Sequence, residues 1–97
     1  GMMPMVTIAE RVRVDMALLD RERPGWIEEI DLRTLDMADM CLCILGQVYG
    51  HYEKAPWRTF RTWGTTFTIT GSRDTWEGLE RAWKRAIRAR RAEAARP

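Results

Sequence analysis

The chain has 97 residues, the length of a single domain, and is 45% apolar and 31% charged with a net charge of only +2. No apolar stretch approaches the length of a membrane-spanning helix, and the N-terminus lacks a secretory pattern, so we expect a cytoplasmic protein. We treat residues 1–97 as one domain, with Gly1 before Met2 interpreted as an expression remnant and 92–97 as a frayed tail.

The first predicted element is a helix over residues 7–22. Thr7 and Glu10 have the spacing of a capping box, and Pro24-Gly25 ends the segment. Apolar residues recur at helical intervals at Met5, Ile8, Val12, Met16 and Leu19. The same helical spacing places the charged residues on the solvent face: Arg11, Arg13, Asp15, Asp20 and Arg21.

Residues 26–39 predict a compact connection rather than a long element, with Trp26, Ile30 and Leu35 as its buried anchors. A second helix is predicted over residues 38–53, with Asp36 or Asp39 as its cap. Its apolar stripe consists of Cys41, Ile44, Leu45, Val48 and Tyr52. Gly46 inside this helix costs roughly 1 kcal/mol relative to alanine, which predicts the close approach of another chain segment there.

Residues 54–72 predict a loop after Pro56, with a short strand or hairpin within 57–70. The last helix is predicted over 74–91, with Asp74 and Glu77 as a capping box and Leu79, Trp83 and Ile87 on its inner face. Residues 73–97 carry eight basic and four acidic side chains, a net charge of +4, whereas residues 1–72 carry −2. The C-terminal helix is therefore the basic end of the chain.

These elements predict a mainly α fold: a three-helix single domain with room for a short strand or hairpin between the second and last helices. Its predicted core comprises Val12, Met16, Leu19, Trp26, Ile44, Leu45, Val48, Leu79, Trp83 and Ile87.

The two cysteines and the single histidine are the candidates for metal binding. Cys41 and Cys43 at C-x-C spacing, with His51 further on, supply three potential ligands, whereas a structural zinc site needs four. In a helix, positions i and i+2 also point in nearly opposite directions, whereas a C-x-C pair that lies just before the helix could chelate an ion. We therefore expect the thiols to be reduced packing residues, with no metal and no cofactor, and we keep a small metal-binding protein as a second alternative.

Two stretches are candidates for binding a macromolecule. The segment 56–63, PWRTFRTW, interleaves aromatic rings with arginines, and rings and arginines are common interface anchors. Its predicted partner-binding residues are Trp57, Arg58, Phe60 and Trp63. The basic face of the last helix is the candidate for nucleic acid, through Arg81, Lys84, Arg85, Arg88 and Arg91.

The string LLDRERPGWIEEIDLRTLDMADMCLCILGQVYGHY, residues 18–52, resembles a group of small proteins common in actinobacteria and their phages. Those proteins share a Leu-Leu-Asp, a Pro-Gly-Trp, an Ile-Asp-Leu followed by Leu-Asp, and a cysteine before Leu-Gly-Gln. Near their C-terminus they carry residues similar to Leu79, Trp83 and Ile87. The resemblance implies a cytoplasmic protein of a bacterial host and supplies no catalytic residue.

Five tryptophans in 97 residues are more than a small core easily buries, and no phosphate loop, nucleophile elbow or metalloprotease pattern is present. We therefore expect a non-enzymatic protein–protein interaction module that binds an unknown protein or self-associates. A nucleic-acid-binding protein is the first alternative.

Overall fold

The computed structural model describes residues 7–56 and 73–96, and the first helix, α1, spans Ile8–Glu22. The predicted capping box starts it: the Thr7 hydroxyl accepts from the Glu10 N–H at 3.1 Å, and the Glu10 carboxylate accepts from the Thr7 N–H at 3.4 Å. The helix ends at Arg23, whose N–H donates to the Leu19 carbonyl. One assignment is wrong, because Asp15 lies on the inner side of α1 and is fully buried.

The connection after α1 contains a single helical turn, α2, over Trp26–Glu29. Gly25 precedes it with a φ of 88°, in the left-handed region that glycine adopts without strain. The predicted anchors Trp26, Ile30 and Leu35 are all buried, which confirms the compact connection. The indole N–H of Trp26 donates to the Asp20 carboxylate at 2.8 Å and so attaches α2 to α1.

The second predicted helix is much shorter than expected: α3 spans only Ile44–Tyr49, not 38–53. The Asp39 carboxylate accepts from the N–H groups of Cys41 and Leu42 at 2.7 and 2.9 Å, which holds residues 39–42 in a turn. A short acidic side chain that bonds to nearby N–H groups competes with the helical backbone in this way. Gly50, with a φ of 91°, ends α3, and a 3₁₀ turn follows at Tyr52–Lys54.

Gly46 lies where the turn before α3 folds back on the helix. A Cβ atom at this position would stand 2.5 Å from the Met40 carbonyl oxygen and 2.5 Å from the Cys41 carbonyl carbon. The prediction of a close approach at Gly46 is confirmed, and the approaching segment is backbone.

Gln47 joins the two ends of the connection between α2 and α3. Its amide oxygen accepts from the Asp31 N–H at 2.6 Å, and its amide nitrogen donates to the carbonyls of Asp31 and Leu42 at 3.2 and 3.0 Å. One side chain thus fixes the position of residue 31 relative to residue 42.

The last helix, α4, spans Arg73–Ala94 and is longer at both ends than the predicted 74–91. Asp74 therefore lies in its first turn instead of at its cap. α4 packs along α1 in the same direction: Ile8 is the nearest side chain to Gly78, and twelve residues later in each helix Asp20 pairs with Arg90. The N-terminal turns of the two helices therefore lie at the same end of the domain.

The fold is mainly helical, as predicted, but α2 makes it four helices instead of three within the described residues. Every residue of the predicted core is at most 5% exposed. At its centre the rings of Trp26 and Trp83 form an edge-to-face pair, with centroids 6.0 Å apart. The predicted strand or hairpin within 57–70 lies outside the described residues.

Candidate functional site

The most highly charged surface of the described chain lies on α4. Residues 81–91 contain six basic side chains and no carboxylate. Their neighbours divide these six cations into two groups, one that stabilises the fold and one that is open to solvent.

Three of the six cations contact other parts of the protein. The Arg90 guanidinium donates to both oxygens of Asp20, at 2.6 and 2.9 Å, and Lys84 pairs with Glu80 one turn away at 3.3 Å. Arg91 donates to the carbonyls of Ile27 and Ile30, both at 2.6 Å, and thereby satisfies the C-terminal end of α2. Arg91 is therefore a structural residue, and its place in the predicted nucleic-acid surface is not supported.

The other three cations, Arg81, Arg85 and Arg88, are exposed and pair with no carboxylate in the part of the chain that the structure describes. Their spacing of four and then three residues places them on one side of α4 over about 10 Å of helix. Together with Lys84 they line a shallow depression of about 300 Å³. We refer to Arg81, Lys84, Arg85 and Arg88 as the basic stripe.

An apolar groove of about 340 Å³ lies beside the basic stripe, between α1 and α4. Val12 and Met16, which are 1% and 5% exposed, contribute from α1. Four alanines complete the apolar lining: Ala9, Ala82, Ala86 and Ala89. Because alanine side chains are short, the groove stays open where the two helices pack. We refer to it as the α1–α4 groove.

The α1–α4 groove has a predominantly cationic rim. Arg13 borders it from α1, and Arg85, Arg90 and Glu93 border it from α4. Arg13 is exposed and, like Arg85, pairs with no carboxylate within the described residues. Arg85 belongs to both the groove and the basic stripe, so the two features form one continuous surface. This groove is not predicted from the sequence, where its signal is the helical spacing of the alanines, a pattern that resembles ordinary inner-face packing.

The cysteines and the histidine serve local structure. Cys43 is buried at the N-cap of α3, where its sulfur accepts from the Gly46 N–H at 3.2 Å, whereas Cys41 is exposed. Nδ1 of His51 accepts from the Glu53 N–H at 3.1 Å, and its ring stacks on Tyr52. The structure does not bring the two thiols and the imidazole together, and the described residues contain no cluster of three side chains suited to a metal ion.

Cys43 and Tyr49 have shifted pKa values, and neither residue lines the groove. Burial raises the pKa of the Cys43 thiol, although the Gly46 N–H opposes the shift. Partial burial raises the pKa of Tyr49, against the influence of the Arg23 guanidinium, which lies 5.0 Å from the ring centre. A thiol with a raised pKa is a weak nucleophile and a weak metal ligand near neutral pH.

The remaining predicted surface, formed by Trp57, Arg58, Phe60 and Trp63, lies outside the described residues. Of the other tryptophans, Trp26 and Trp83 are buried and Trp76 is half-buried. A small exposed apolar patch is present elsewhere, at Met40 and Leu42, which are 55% and 38% exposed.

Comparisons with protein-family models, with curated proteins and with solved structures find no match for this chain. Among the described helices, none is long and apolar enough to cross a membrane. Function is therefore inferred from the surface formed by the α1–α4 groove and the basic stripe.

Proposed function

We propose that the protein is a non-enzymatic protein–protein interaction module that binds its partner over the α1–α4 groove. The observation that carries the proposal is an open apolar groove with an arginine on each wall, Arg13 and Arg85, that pairs with no carboxylate of the described residues. Binding sites for protein segments combine these features, because the apolar floor supplies affinity and the charged rim supplies orientation and specificity. The polar groups around the cysteines and the histidine have structural roles, which supports a binding function over a catalytic one.

The test uses the folded protein as bait in a lysate of an actinobacterial host, since the resemblance described above points to such a cell. Three baits are compared: wild type, Ala89→Gln and Ala92→Gln. Ala89 lines the α1–α4 groove, whereas Ala92 is exposed on the same helix outside it. We expect a partner retained by wild type and by Ala92→Gln and lost with Ala89→Gln. Equal retention by all three baits, or retention of nothing, contradicts the proposal.

Self-association is checked on the same samples by light scattering. A dimer that Ala89→Gln dissociates would make a second copy of the chain the partner. The segment with Trp57, Arg58, Phe60 and Trp63 stays a predicted contact for the same partner. A Trp57→Ala and Trp63→Ala double variant is expected to weaken capture.

Nucleic-acid binding is the second candidate function, and the three unpaired arginines of the basic stripe favour it specifically. If Arg81, Arg85 and Arg88 each contact one phosphate, log affinity falls with log salt concentration at a slope of about −2.7. A rise from 50 to 200 mM salt would then weaken binding about 40-fold. Fluorescence anisotropy with duplex and single-stranded oligonucleotides measures this slope, and no binding at low salt excludes the candidate.

A further inference from the structure

The chemistry of the α1–α4 groove restricts which kind of protein segment fits it. An extended peptide would need an unpaired strand edge, and the described residues contain no strand. A proline-rich segment would need aromatic rings, and none of the described residues that line this groove is aromatic. A groove between two parallel helices with short alanine side chains instead suits a third helix, whose apolar residues at i, i+3, i+4 and i+7 would occupy it.

The charge of the rim restricts the partner further. Arg13 on the α1 wall and Arg85 on the α4 wall are exposed cations with no carboxylate partner in the described part of the chain, and Arg81 and Arg88 continue the positive surface. Among the described residues that line the groove, only Glu93 is acidic. A complementary segment therefore carries carboxylates on both sides of its apolar residues, because like charges at these positions would repel.

The same charges argue against a second copy of this chain as the occupant. A symmetric dimer places the same patch of both subunits against itself. Here that arrangement would bring one basic stripe toward the other with no acidic surface between them. A nucleic acid, in turn, would satisfy the basic stripe but would leave the apolar groove empty.

From these restrictions we propose that the docking element of the partner is an acidic amphipathic α-helix that lies along the α1–α4 groove. Its apolar residues contact Ala82, Ala86 and Ala89, which are half-buried or exposed in the free protein, and its carboxylates pair with Arg13 on one side and Arg85 on the other. This inference rests on the proposed interaction function and adds the chemical class of the partner.

The experiment uses synthetic peptides as probes and fluorescence anisotropy with the full-length chain. The first peptide is as long as α1, 15 residues, with leucines at i, i+3, i+4 and i+7 flanked by glutamates. The second has the same composition in scrambled order, and the third replaces glutamate by lysine. We expect the first to bind at least about tenfold more tightly than either control, and to become helical on binding by circular dichroism.

Four variants locate the peptide on the protein. Ala89→Gln obstructs the groove without changing charge, and Arg85→Glu reverses one charge of the rim. Each of these two substitutions should weaken binding of the first peptide at least about tenfold. The matched controls Ala92→Gln and Arg96→Glu, at exposed positions outside the groove, should change affinity less than about twofold. Far-UV circular dichroism establishes that all four variants are folded.

Equal binding of the ordered and scrambled acidic peptides would overturn the inference, because it would show that the protein attracts negatively charged peptides without using the groove. Tighter binding of DNA than of the acidic amphipathic peptide, unaffected by Ala89→Gln, would assign the surface to nucleic acid instead. Absence of peptide binding also overturns the inference. The interaction function itself would still stand if a lysate partner is lost with Ala89→Gln, so the two failures are distinguishable.

Discussion

Two glycines in helices should respond in opposite directions to the same substitution. An added Cβ at Gly46 meets backbone atoms of Met40 and Cys41 at 2.5 Å, a distance that no side-chain rotation relieves. An added Cβ at Gly78 meets the end of the Ile8 side chain at 3.6 Å and the end of the Arg81 side chain at 3.9 Å, which are ordinary van der Waals contacts. Alanine should therefore destabilise the protein at Gly46 and stabilise it at Gly78.

The expected magnitudes follow from two opposing effects. Overpacking costs about 1–3 kcal/mol, and we take the upper end at Gly46 because the contacts are rigid backbone. Alanine regains about 1 kcal/mol of helix propensity at either site. The free energy of unfolding should therefore fall by about 2 kcal/mol in Gly46→Ala and rise by about 0.5–1 kcal/mol in Gly78→Ala.

Urea titration followed by far-UV circular dichroism measures both changes, and thermal unfolding gives a second estimate. For a domain of this size, a loss of about 2 kcal/mol lowers the melting temperature by roughly 8–16 °C. The two variants control for each other, because both replace a helical glycine by alanine. A Gly46→Ala protein as stable as wild type would refute the inference that backbone approach requires glycine there.

Three further predictions concern residues with assigned structural roles. Arg91→Ala should lower the free energy of unfolding by about 2–3 kcal/mol in urea titration, because two carbonyls at the C-terminal end of α2 lose a charged donor. As a control, Arg88→Ala should change the free energy of unfolding by less than about 0.5 kcal/mol. Gln47→Ala should cost about 1–2 kcal/mol in the same assay, because three hydrogen bonds that hold together the two ends of the connection between α2 and α3 are lost to water. Because burial raises the pKa of Cys43 above its ordinary 9.0, its contribution to stability is fully present below pH 9 and is lost as pH rises through the folded value. Stability measured against pH should therefore decline above about pH 9, less steeply in Cys43→Ser; an identical decline in both proteins would contradict this assignment.

The sequence predicted the elements whose local signals and tertiary packing agree. The capping box and apolar spacing located α1, and all ten predicted core residues are buried, because helical period and hydrophobic burial select the same positions. The second helix was predicted too long because its apolar spacing continues through residues that Asp39 holds in a turn. Periodicity detects which side chains face inward, but not a carboxylate that takes the backbone N–H groups of a helix.

The candidate site was predicted less well, because it depends on which elements meet. The basic character of α4 is visible in the sequence, but the sequence does not show that Arg91 has a structural role and that Arg85 is open to solvent. The distinction requires knowing that the carbonyl end of α2 lies within reach of Arg91, while no carboxylate of the residues that the structure describes pairs with Arg85. The α1–α4 groove likewise exists only because α1 and α4 run in parallel with alanines at their contact.

The division of cations along α4 bears on why the basic stripe favours a binding role. Arg81 and Arg85 are four residues apart, as are Lys84 and Arg88, and like charges at this spacing destabilise a helix by about 0.2–0.5 kcal/mol per pair. Of these four cations, Lys84 alone has a carboxylate nearby among residues 7–56 and 73–96 to offset that repulsion. The unpaired arginines thus do not stabilise the isolated domain, unlike Arg90 and Arg91, which join α4 to α1 and α2. An anionic partner that covers the basic stripe would remove this repulsion, and the relieved repulsion would add to the binding free energy. The charges that destabilise the free protein are therefore the ones best placed to recognise a partner.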